Sequence, residues 1–182
     1  MAIEYLKKAN PPVAQIDTAT AKTVSSMLAE IEAGGEEVVK RYARELDGCK
    51  GEIVLGPAHF ADAEKALSDG VKSDIQFAHK RIVDFAKRQR DSMQEFTAEL
   101  LPGLEVGQRL IPCQTAGCYV PGGRYAHAAS ALMSVATAKV AGVDHIVATS
   151  PATKDHGVHP GILYAMKLSG ADTVLALGGV HA

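Results

Sequence analysis

The chain has 182 residues, with 19 Lys+Arg against 21 Asp+Glu and a formal net charge of −2. That balance excludes a basic nucleic-acid surface or a polybasic membrane anchor as the basis of function. An apolar fraction of 47% excludes a disordered polymer and is enough for a buried core. Cys49, Cys113 and Cys118 show no CxxC spacing, which argues against a disulfide framework or structural zinc site and for a reducing cytoplasm. Met1 to Asn10 carry no apolar run of signal-peptide type. The stretch from Ala128 to Val143 is broken by Ser130, Ser134, Thr137 and Lys139 and is too short to span a bilayer, so no membrane partner is expected.

Residues 1–98 read as a mainly helical region. After Asp17, Val24, Met27, Leu28 and Ile31 recur at helical spacing, and Gly34-Gly35 closes the segment. A second helix carries Val38, Val39, Tyr42 and Leu46 on one face and stops at Gly48. Ile53-Val54-Leu55 is a candidate short strand, and Gly56-Pro57 leads into a helix over 58–67. Ser73 is the expected N-cap of a longer helix bearing Ile75, Phe77, Ile82, Phe85 and Ala86. Its other face holds Lys80, Arg81, Lys87, Arg88 and Arg90. With few aromatics nearby, that run reads as a solvated helix surface, with a binding face as the alternative.

From residue 99 to 182 the pattern changes to strand and helix in alternation. Residues 99–106 and 108–113 read as short strands joined by Pro/Gly turns. Strands over 118–120, 145–149 and 173–177 alternate with helices over 128–141 and 160–168. Short connections imply right-handed crossovers and a parallel sheet. The fold class expected is therefore α/β: a helical N-terminal region followed by half of a doubly wound, Rossmann-like sheet, incomplete at the C-terminus. A three-stranded sheet of this kind leaves an open edge, which calls for a partner subunit or further chain.

Two glycine turns carry the functional signal. Gly117-Cys118-Tyr119-Val120-Pro121-Gly122-Gly123-Arg124 runs from a strand through glycines toward a helix, a geometry that brings backbone N–H groups to a phosphate. It is not GxGxxG, and a plain tight turn is the competing reading. Gly178-Gly179 ends the next parallel strand but one, and open α/β sheets bind ligands at such ends. Tyr119 reads either as a ring stacked on a cofactor or as a strand aromatic filling the core. His127, just before a helix, is the histidine best placed to touch a ligand. His156 and His159 lie in a loop before Pro160, without the helical spacing of a metal pair, and read as solvated. Cys118 reads as a buried structural thiol and Ser130 as a helix cap. No Ser/His/Asp set and no paired carboxylates accompany the turns.

The Tyr119-Val120-Pro121-Gly122-Gly123 block, with Ala131-Leu132-Met133, Ala138-Lys139-Val140-Ala141-Gly142-Val143, Ser150-Pro151 and Gly178-Gly179, resembles the histidinol dehydrogenase family. The opening Ile3-Glu4-Tyr5-Leu6-Lys7-Lys8-Ala9 and the run Gly123-Arg124-Tyr125-Ala126-His127 are similar to its sulfopropanediol dehydrogenase branch. The resemblance implies a homodimeric enzyme that oxidises a zinc-bound small alcohol with NAD. It implies cofactor contacts at Tyr119 and at His181, the latter replacing a family glutamine, and the turn residues Pro121, Gly122 and Gly123 between them are expected to bind the cofactor as well. One or both of Arg124 and His127, at the glycine turn, are expected to accept the sulfonate of a hydroxy-sulfonate substrate, Arg through planar paired donors, with Arg124 on a cofactor phosphate or facing water as the competing reading. The family's zinc ligands and catalytic Glu-His pair lie downstream of this region, so no residue here is expected to be catalytic or to bind metal. The chain alone is expected to be an inactive fragment. Histidinol as substrate and a non-catalytic nucleotide-binding or dimerisation module are the alternatives.

Overall fold

The computed structural model describes residues 7, 18–122, 125–153 and 157–182. Helix α1 (Thr18–Glu45) is two helices joined at Gly35, where φ is 57° and ψ −142°. That left-handed geometry lets glycine turn the chain without ending it. Strand β1 (Val54–Leu55) follows. Helix α2 (Pro57–Ala66) begins on Pro57, whose missing N–H costs nothing in a first turn. Helix α3 (Asp69–Ser92) is capped by Ser68, whose side chain accepts from the Val71 N–H. Ser73, expected as the cap, lies inside the helix; Ser68 wins because the helix starts one turn earlier.

Strands β2 (Phe96–Leu101) and β3 (Leu104–Gln108) form an antiparallel hairpin closed at Pro102-Gly103, where Gly103 has φ 81°. The strand expected over 99–106 therefore spans a turn, and residues 109–113 are not strand; the period-2 pattern continued through the Pro-Gly break.

The second half follows the expected alternation. Strand β4 (Thr115–Tyr119) leads to α4 (Ala128–Ala131), which passes through a π-helical turn (Leu132–Ala136) into α5 (Thr137–Val140). His127, not Ser130, is the N-cap residue. Strand β5 (His145–Thr149), helix α6 (Pro160–Ser169), strand β6 (Thr173–Leu175) and a 3-10 turn (Gly179–His181) complete it. Helix α6 takes its N-cap from the His159 side chain and its left-handed C-cap from Gly170.

The sheet order is β1-β6-β5-β4, with β4-β5 and β5-β6 parallel and β1-β6 antiparallel. The edge beyond β6, expected to be open, is filled by β1 from the helical half. A hydrogen bond from the Ala176 N–H to the Ile53 carbonyl (2.7 Å) extends that pairing. The parallel order advances in one direction, so crossovers of one hand place α4 and α6 on one face, where they pack together. Val120, Ile146, Ala148, Ile162 and Val174 are essentially inaccessible to solvent. The core joins both halves: Ala43, Leu55, Ala63 and Ile75 belong to the same cluster as the sheet residues.

Candidate functional site

Hydrogen bonds tie the carboxyl ends of the three parallel strands together. The Val120 N–H donates to the Thr149 carbonyl (2.8 Å), and the Ser150 N–H to the Leu175 carbonyl (3.1 Å). The buried Thr149 hydroxyl donates to the Leu177 carbonyl (2.8 Å). The two glycine turns close on a common element, Ser150-Pro151. A Cβ on Gly122 would come 2.7 Å from Ser150 Oγ, and one on Gly178 would come 2.6 Å from Pro151 Cβ. Backbone approaches this close need glycine whatever the dihedral angles.

Tyr119 bridges the two turns. It is 49% exposed, so its ring does not fill the core. Its hydroxyl accepts from the Gly179 N–H at 3.4 Å, across the end of β5. Pro121 is exposed beside it and Gly122 half-buried. The exposed Tyr119 ring and the two glycine turns therefore share the carboxyl edge of the sheet, where the ring offers a face to a planar group while the Gly178 and Gly179 N–H groups are taken up by Asp47 and the Tyr119 hydroxyl.

The remaining candidate residues fall differently. Gly123, Arg124 and His156, like nearly all of the opening Ile3–Ala9 run, lie outside the described residues. His127 is exposed at the start of α4, with no side-chain cap bond, and its ring meets Tyr125 edge-on at 6.5 Å. His181 is buried, and its Nε2 lies 2.9 Å from Asp47 Oδ2. Its ring therefore faces the loop after α1 rather than open crevice. Burial pushes the Cys118 thiol up, against a nucleophilic role and in keeping with a structural one.

Sequence reasoning missed Asp47, Thr149 and Ser150. Leu46-Asp47-Gly48 reads locally as a helix stop, and nothing in it reports a partner 131 residues away. Ser150 Oγ is buried without a hydrogen-bond partner, a property only packing reveals.

A cleft of about 1040 Å³ is lined by Cys49, His59, Asp62, Thr153, Val158 and His159 among others. Both histidines accept backbone N–H donors at Nδ1, from Gly56 (3.2 Å) and Gly161 (3.1 Å). In the neutral ring each then carries its proton on Nε2, leaving no lone pair for a metal. Among the described residues no group of three or more His, Cys, Asp or Glu is placed to hold a metal ion. No described helix is long and apolar enough to cross a membrane.

The family profile described as Histidinol dehydrogenase matches residues 12–182. The chain is 52% identical over 183 residues to a "Histidinol dehydrogenase homolog" of Ruegeria pomeroyi, covering 100% of the chain and 42% of that protein. It is 46% identical over 181 residues to the "Sulfopropanediol 3-dehydrogenase" of the same organism, with coverage of 100% and 42%. Against the histidinol dehydrogenase of Parasynechococcus marenigrum, identity is 36% over 160 residues, covering 87% of the chain and 36% of that protein. The crystal structure of histidinol dehydrogenase from Elizabethkingia anophelis superimposes with a TM-score of 0.83 at 22% identity, over 97% of this chain and 39% of that one. That likeness shows the fold. The chain spans about two fifths of the length of the curated relatives it matches.

Proposed function

The chain belongs to the histidinol dehydrogenase family, and from that premise we propose that it carries the NAD-binding crevice of an enzyme that oxidises a small polar alcohol. The carrying observation is Tyr119, half-exposed between two glycine turns that both close on Ser150-Pro151. NAD, when bound, supplies the hydride acceptor. In this reading Tyr119 offers a ring face, Pro121, Gly122 and Gly123 offer a close backbone approach, and His181 holds the second turn from behind. Glycine at 122 and 178 lets both turns close on Ser150-Pro151, which brings Tyr119 and Gly179 to one edge of the sheet and supports this reading.

The substrate we assign is a hydroxy-sulfonate. Similarity over the whole chain to a sulfopropanediol 3-dehydrogenase supports that class. Arg124 and His127 are the residues assigned to its anionic group, Arg through paired planar donors. The family resemblance implies zinc ligands beyond this chain; among the described residues no group of three or more His, Cys, Asp or Glu is placed to hold a metal ion. The homodimer we assign finds support in the hairpin, where Phe96, Leu101 and Leu104 stand about half or more exposed. Free thiols at all three cysteines fit the cytoplasmic assignment.

The test is NADH formation by the full-length protein with a hydroxy-sulfonate and with histidinol, for the native form and Arg124→Ala. The expected result is turnover of the sulfonate with a KM raised about tenfold or more in the variant, the loss of one charged contact. Unchanged KM would remove Arg124 from the substrate site, and preference for histidinol would move the protein to that branch. The chain by itself is expected to produce no NADH; among the described residues no group of three or more His, Cys, Asp or Glu is placed to hold a metal ion.

A further inference from the structure

Asp47 stands in the loop after α1, yet its carboxylate belongs to the turn that follows β6. Its Oδ2 accepts from the Gly178 N–H at 2.8 Å and faces His181 Nε2 at 2.9 Å. The pair is enclosed, with side-chain exposures of 12% for Asp47 and 1% for His181. A carboxylate only accepts, so the ring nitrogen facing it carries the proton. His181 Nδ1 is then the acceptor of the neutral ring, and it is buried without a partner. Tyr42 backs the ring at 6.0 Å between centroids, and its own hydroxyl donates to Glu30 Oε2, which also receives Arg41.

The turn therefore has two successive N–H groups with opposite commitments. Gly178, extended at φ −131°, gives its N–H inward to Asp47. Gly179, at φ 58°, gives its N–H to Tyr119 on the crevice side. Asp47 also packs against the face of Gly178, where a Cβ would meet Oδ1 at 3.2 Å. Releasing Asp47 would free Gly178, unlock His181 and let the Gly179 N–H swing away from Tyr119.

We propose that Asp47 is a positioning residue for the bound dinucleotide: it holds Gly178 and His181 so that Gly179 and Tyr119 face the cofactor together. This rests on the reading of the crevice as the NAD site. It makes the helical half part of the cofactor site, through a residue that touches no cofactor atom.

The experiment uses the 182-residue chain, its Asp47→Asn and Asp47→Ala forms, NAD titration and the ¹⁵N shifts of the His181 ring. In the native chain the ring is expected as the Nε2–H tautomer; the Nδ1–H tautomer would overturn the proposal. Asp47→Asn keeps a neutral acceptor of the same size and is expected to weaken NAD about threefold with the tautomer retained. Asp47→Ala is expected to weaken it about tenfold or more and to release the tautomer. A purely structural role would lower the thermal midpoint of both variants while leaving the Kd of the folded protein unchanged, and that result overturns the proposal. Should Asp47→Ala not fold, an unchanged Kd in Asp47→Asn overturns it alone. No saturable NAD binding by the native chain would instead remove the crevice reading and the proposal with it.

Discussion

The sheet and the hairpin use similar residues to opposite ends. In the sheet, Ile146 on the central strand is fully buried between β4 and β6. In the hairpin, Phe96, Ala98, Leu101, Leu104 and Val106 share one face by register, with Thr97, Glu99 and Glu105 on the other. Yet Leu101 is 65% exposed and Phe96 53%. A two-stranded hairpin is marginal alone, and an amphipathic one keeps an apolar face only where something covers it. The comparison separates what this chain stabilises by itself from what it presents to another surface.

The largest expected effect lies on the sheet side. Ile146→Ala should lose about 2–5 kcal/mol by chemical denaturation, because a fully buried site leaves a cavity; a loss below about 1 kcal/mol would show that β5 is not the centre of the core. Gly178→Ala comes next. With Pro151 Cβ only 2.6 Å from the new methyl, about 1–3 kcal/mol should be lost as the turn shifts, and NAD binding should weaken with it. A variant that keeps both stability and affinity would show that the turn has room to give.

A smaller effect tests the other end of the same strand. Asp172 accepts the Ile146 N–H at 2.8 Å, and that bond, then the nearby Lys139 and His145, holds its carboxyl below the usual carboxylate value. A depressed folded pKa stabilises the fold above the ordinary value of about 3.9 and is lost as pH falls through the folded one. Asp172→Asn should therefore flatten the loss of stability below about pH 4. With the side chain 37% exposed, the difference at neutral pH should be under about 1 kcal/mol. Parallel stability–pH curves for the two forms would exclude the role. The smallest effect belongs to the hairpin: Leu101→Ser should change the chain's stability by no more than about 0.5 kcal/mol, while reducing self-association in sedimentation. A loss as large as that at Ile146 would mean the hairpin face is already packed.

Much of this was legible in the residues. His145–Thr149 was readable as a strand because a buried parallel strand is an unbroken apolar run, and Pro160 and Gly170 bracket α6 with unambiguous punctuation. The merging of β1 into the sheet was not legible, because two residues carry no periodicity. The hairpin was misread because alternation does not mark where a turn falls. At the crevice, the glycines and Tyr119 announce themselves as a strand-end motif. Asp47 does not, since its partners are distant in sequence and its local pattern is that of a helix end.

The central claim is that the strand-end site at Tyr119, and not the His59/His159 cleft, takes the dinucleotide. NAD titrated into the chain, with tyrosine and histidine ring resonances observed by NMR, tests it directly. The account predicts one saturable site that shifts the Tyr119 ring and leaves His59 and His159 unmoved. Saturation at the two histidines with Tyr119 unchanged would contradict it.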